Sequence, residues 1–95
     1  MYGLNENLLN EITGLARKYE LTSVVLFGSR ARGDYRARSD IDLAVAGGDY
    51  DRFALDAEEE TSTPLSFDIV NLDKKVQPEL LENIRRDGIV LYAKA

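Results

Sequence analysis

The sequence predicts one α/β domain, residues 1–95, organised around a single sheet of four strands. Three observations carry that reading. Apolar residues recur at helical spacing near the start, middle and end of the chain. Four short segments are continuous apolar runs or alternate strictly between apolar and polar. The two kinds of segment interleave, giving the order α-β-(short α)-β-α-β-α-β.

The first helix is predicted over residues 4–19, where Leu4, Leu8, Ile12, Leu15, Ala16 and Tyr19 share one face. Ser23-Val24-Val25-Leu26-Phe27 is a β-type run stopped by Gly28, and Ser29 suits the cap of a short helical turn. Residues 33–39 are polar and read as a loop. In residues 40–46, Ile41, Leu43 and Val45 point one way, and Asp40, Asp42, Ala44 and Ala46 the other. Gly47-Gly48 closes that strand. A helix over 50–60 carries Phe53, Ala54 and Ala57 inward and ends in the solvated run Glu58-Glu59-Glu60. Residues 65–70 alternate again, with Asp68 on the polar side. Pro78 suits the first turn of a helix reaching about Arg86, Gly88 suits its stop, and residues 89–92 form a last strand.

Composition narrows the chemistry. Cysteine and histidine are both absent, which removes disulfides, thiolate zinc sites and the usual general base. A bound metal is therefore expected to be hard and oxygen-ligated, magnesium or manganese. No apolar run approaches the roughly 20 residues of a membrane span. The N-terminus lacks the pattern of a signal peptide, so a cytoplasmic protein is expected. The net charge of −5 argues against direct nucleic-acid or membrane binding. The bases are uneven, however, with Arg30, Arg32, Arg36 and Arg38 clustered together.

Those arginines lie between two motifs. Gly28-Ser29 stands ten residues before Asp40-Ile41-Asp42. A glycine lets backbone approach a phosphate closely, the following helix start offers free N–H groups, and Ser29 adds a hydroxyl. Arg30 or Arg32 is placed to neutralise a pyrophosphate leaving group. Asp40 and Asp42 share a strand face at a Cα separation of about 6.5–7 Å, close enough to bind one ion or bridge two. If the strand carrying Asp68 pairs beside them, three carboxylates gather, and cations must relieve their repulsion. Gly28 and Gly33 have P-loop spacing, but Asp34-Tyr35 follow where Lys-Ser/Thr is required. Leu43-Ala44-Val45 similarly rule out an EF-hand.

Gly-Ser, ten residues, Asp-x-Asp and a later acid resemble the signature of the DNA polymerase beta-like nucleotidyltransferases. Gly-Ser-Arg-Ala-Arg-Gly followed by Ser-Asp-Ile-Asp-Leu is similar to the minimal nucleotidyltransferases of prokaryotes, over nearly the whole chain. The resemblance implies a small mixed-sheet palm with helices packed mainly on one face. It implies transfer of AMP from ATP to a hydroxyl, with Asp40 and Asp42 holding two magnesium ions and Asp68 holding one. Asp68 would also help deprotonate the acceptor, and Gly28 and Ser29 would hold the triphosphate. It further implies a helical HEPN-type RNase toxin as partner, silenced by adenylylation of a tyrosine. This chain has no room for the acceptor domain of larger relatives, so a partner, a second copy or a small acceptor is expected to complete the site. The competing readings are an antitoxin that only masks its toxin, and an enzyme modifying a small molecule such as an aminoglycoside.

Overall fold

The structure is a computed structural model describing residues 1–94. Its elements run α1 (Glu6–Lys18), β1 (Ser23–Phe27), α2 (Gly28–Arg32), β2 (Ile41–Ala46), α3 (Tyr50–Glu60), β3 (Phe67–Asn71), α4 (Pro78–Asp87) and β4 (Ile89–Ala93). This is the order expected from the sequence.

Local chemistry sets most boundaries. The Asn5 side chain accepts from the Leu8 N–H at 2.7 Å and caps α1, with Glu6 in the first turn and Arg17 and Lys18 in the last. Asp49 caps α3 in the same way, through the Arg52 N–H at 3.2 Å. Pro78 opens α4 and supplies the fixed φ of a first turn. Two strands start later than the alternation suggested. Asp40 precedes β2 instead of lying within it, and β3 begins at Phe67. Between them, the Ile41 N–H donates to the Ser66 carbonyl at 2.9 Å and sets the register before β3 begins.

The sheet order is β3-β2-β1-β4. β1 pairs antiparallel with both β2 and β4, whereas β2 and β3 are parallel and joined through α3. The sheet is therefore mixed, because only the β2–β3 pair needs a helical crossover. The main core lies under α1 and α3. Leu8, Ile12 and Ala16 of α1 and Phe53 of α3 pack there on Val24, Leu26, Ile41, Leu43 and Val45. A large aliphatic side chain such as Ile12 contributes about 1.5–3 kcal/mol when removed from water. A smaller cluster of Phe27, Ala44 and Ile84 occupies the opposite face under α4. Ala44, on the polar side of the sequence alternation, is thus fully buried. Beyond α4's cover, the same face carries the acids of β2 and β3. No helix among the described residues is long and apolar enough to cross a membrane.

Candidate active site

Parallel pairing brings two carboxylates together. Asp42 of β2 is the register partner of Asp68 of β3, so their side chains leave the same face of adjacent strands. Asp40, two residues before Asp42, is exposed at the mouth of β2. The electrostatics record this crowding. Burial pushes the Asp42 carboxyl above its ordinary value of 3.8, and repulsion from Asp68 and Asp40 pushes it further. Arg32, and less strongly Arg30, oppose that shift.

The hairpin between β1 and β2 brings the Gly28-Ser29 turn to the same place. Phe27 pairs with Asp42, so Gly28 follows directly beside that carboxylate. Gly28 has φ 75°, a left-handed conformation that favours glycine, and a Cβ there would collide with the Asp42 carboxylate. No side chain caps the start of α2. Ser29, next in line, is half-buried, and its carbonyl accepts from the Gly33 and Asp34 N–H groups at 2.9 and 3.1 Å. The ten-residue spacing thus becomes a contact: turn and Asp-x-Asp pair are the two ends of one antiparallel connection.

The two candidate arginines separate. Arg32 is exposed and pairs loosely with Asp34 at 3.5 Å and Asp87 at 3.9 Å, leaving its guanidinium accessible near Asp42. Arg30 departs from the expectation of a phosphate ligand. It is 1% exposed, the one buried charged residue among those described. Its guanidinium donates to the carbonyls of Ser39 (2.9 and 3.1 Å), Tyr2 (3.1 Å) and Ala37 (3.4 Å), and lies 5.0 Å from the Tyr35 ring centroid. Its donors are thus engaged by the segment leading to Asp40 and by Tyr2 near the N-terminus. The signal was present in the spacing. Residues two apart on a helix point about 200° apart, so both arginines could not face the same phosphate. Arg30→Ala is expected to destabilise the fold by about 3 kcal/mol, because it empties the space of a fully buried side chain and leaves partly buried carbonyls unpartnered. Arg32→Ala should stay within about 0.5 kcal/mol of the parent. Urea unfolding of the two variants checks the contrast, and an unchanged midpoint for Arg30→Ala would refute it.

Among the described residues, no three acidic side chains make a ready metal cage. Magnesium does not require one, since it is commonly held by one or two carboxylates together with phosphate oxygens and water. The hard oxygen donors of Asp40 and Asp42, and the repulsion that raises the Asp42 carboxyl, suit such an ion.

A sheet carrying acids on adjacent strands, with a glycine turn against one of them, defines a nucleotidyltransferase palm. The chain belongs to the polymerase beta nucleotidyltransferase family, whose profile matches residues 10–95. A Methanocaldococcus jannaschii protein, provisionally named a protein adenylyltransferase, is 32% identical over 93 residues, covering 85% of this chain and 90% of its own. One chain of a crystal structure of a mutant MntA–HpeT toxin–antitoxin pair superposes with TM-score 0.72 at 27% identity, covering 96% of this chain and 74% of that one. A chain from a toxin–antitoxin crystal structure with AMP-PNP gives TM-score 0.69 at 26% identity, covering 90% and 73%.

Proposed function

We propose that this nucleotidyltransferase moves AMP from ATP to a tyrosine hydroxyl of a helical HEPN-type RNase toxin, and so acts as an antitoxin. The observation that carries the reading is the alignment of Gly28, Asp42 and Asp68 on three consecutive strands or strand ends. It supports a triphosphate at the turn and a reacting phosphorus at the carboxylates. The toxin–antitoxin relatives, one with an ATP analogue, support the partner and the nucleotide.

Gly28 brings the turn directly against Asp42, so a phosphate held by the turn lies beside that carboxylate, and the Ser29 hydroxyl and Arg32 supply donors to the departing pyrophosphate. Asp68 is exposed and accepts the proton of the incoming hydroxyl. Magnesium ions held by Asp40 and Asp42, with Asp68 sharing one, would stabilise charge on the attacking and leaving oxygens.

The test is label transfer. Wild-type protein with magnesium and extract of its source cells should label one protein band from α-labelled ATP and none from γ-labelled ATP. An Asp40→Ala, Asp42→Ala double variant should label nothing. If wild type also labels nothing while still neutralising its partner, the protein works by masking and the transferase reading fails.

A further inference from the structure

A cleft of about 510 Å³ opens beside the carboxylates, lined by Ala37, Arg38, Asp40, Pro64, Leu65 and Ser66. Its walls are the loop entering β2 and the segment entering β3. We infer that this cleft seats the acceptor, a tyrosyl side chain presented by another protein. The inference rests on the transferase reading and specifies where the second substrate binds.

Strand order supplies the direction. The phosphate turn follows Phe27 and flanks Asp42 from the β1 side. Asp68, the register partner of Asp42, flanks it from the β3 side, and Ser66 lies on that side through its bond to the Ile41 N–H. Phosphoryl transfer places the attacking and leaving oxygens roughly in line through phosphorus. With pyrophosphate leaving toward Gly28 and Ser29, the attacking oxygen comes from the β3 side, where the cleft opens. The ribose is attached through an equatorial oxygen, across that line, so the nucleoside projects elsewhere.

The lining selects the acceptor's chemistry. Pro64 and Leu65 form an apolar wall, while Arg38, Ser66 and Asp40 are polar. A flat ring with a hydroxyl at its tip matches such a wall and places its oxygen toward the carboxylates. Arg38 can stack on the ring face. In the transfer, the phenolic oxygen forms a bond to the α-phosphorus. The bond from that phosphorus to pyrophosphate breaks, and the phenolic proton passes through Asp68 to solvent. The products are an O-adenylylated tyrosine and pyrophosphate.

Two variants fill the cleft from opposite walls: Ala37→Trp and Ser66→Trp, both at exposed positions. Calorimetry with magnesium and AMP-PNP reads nucleotide affinity, and label transfer from α-labelled ATP in source-cell extract reads acceptor use. Affinity should stay within about threefold of wild type, as for sites that share no partner. Transfer should fall by about 100-fold or more, as when a reacting group is displaced. Loss of AMP-PNP binding in both variants would show that the cleft holds the nucleoside and would overturn the inference. Undiminished transfer would overturn it too. Absence of label with wild type would instead remove the transferase reading on which it rests. Circular dichroism melts identify any variant that fails to fold, and N-acetyl-tyrosinamide then serves as a second probe on wild type. With AMP-PNP bound, it should shift the amide resonances of Arg38 and Ser66, and no shift would count against the cleft.

Discussion

Asp42→Asn is expected to lower AMP transfer by at least about a thousandfold, by removing a charge aimed at the reacting phosphorus. The same change should stabilise the free protein modestly, by less than about 1 kcal/mol, because Asp42 is only partly buried and solvent screens the repulsion. The gain follows from where Asp42 sits. Burial, then Asp68 and Asp40, hold its carboxyl above 3.8 in the folded chain. The native state therefore keeps that proton to higher pH than the unfolded chain. Between 3.8 and the raised value, stability falls as pH rises, and above the window the full penalty is present. Below the window both forms are protonated and the variant's advantage disappears. Urea unfolding at a pH inside, above and below the window measures this, and a variant less stable than wild type at neutral pH would contradict it. Magnesium with AMP-PNP should reverse the ranking. A ligand at a hundredfold excess over its Kd adds about 2.7 kcal/mol to the state that binds it, and the variant should lose most of that gain. Repulsion within the site is thus stability given up in the free protein so that charge is in place when the substrate arrives.

Much of the site was legible because its parts are close in the chain and follow strand periodicity. Ile41, Leu43 and Val45 alternate with Asp42, so the carboxylate had to leave the core face. The ten residues after Ser29 are a hairpin-like return, so Gly28 and Asp42 became neighbours through local pairing. The partnership of Asp42 with Asp68 was only conditional in the sequence, since a parallel pair is decided by how α3 crosses over the sheet. Ala44 was hidden for a similar reason. Its burial depends on α4, which returns from much later in the chain to cover that face. Arg30 was misread because an arginine in a polar segment is ordinarily exposed, and its carbonyl partners lie on Tyr2, Ala37 and Ser39 in irregular chain. Ser66 and Leu65 carry no chemical signature and acquire a role only through the cleft they share with Arg38.

Gly28→Ala is expected to lower activity by about 100-fold, by a different route from removal of a carboxylate. At φ 75° a non-glycine residue costs about 1–3 kcal/mol in backbone strain. The added methyl would also meet the Asp42 carboxylate, so either the turn opens or the carboxylate swings away. Each escape separates the phosphate turn from Asp42, and displacement on the scale of 1 Å costs about 100-fold in rate. Gly33→Ala separates strain from collision. Gly33 also has positive φ, 94°, at the end of α2, but a Cβ there meets nothing within 4 Å. That variant should show a similar loss of stability with transfer reduced by less than about threefold, because nothing near the carboxylates moves. Thermal melts and label transfer on both variants give the comparison. Equal activity losses would mean that backbone strain alone disables the turn. A large loss confined to Gly28→Ala would mean that the glycine is required for the close approach of the turn to Asp42.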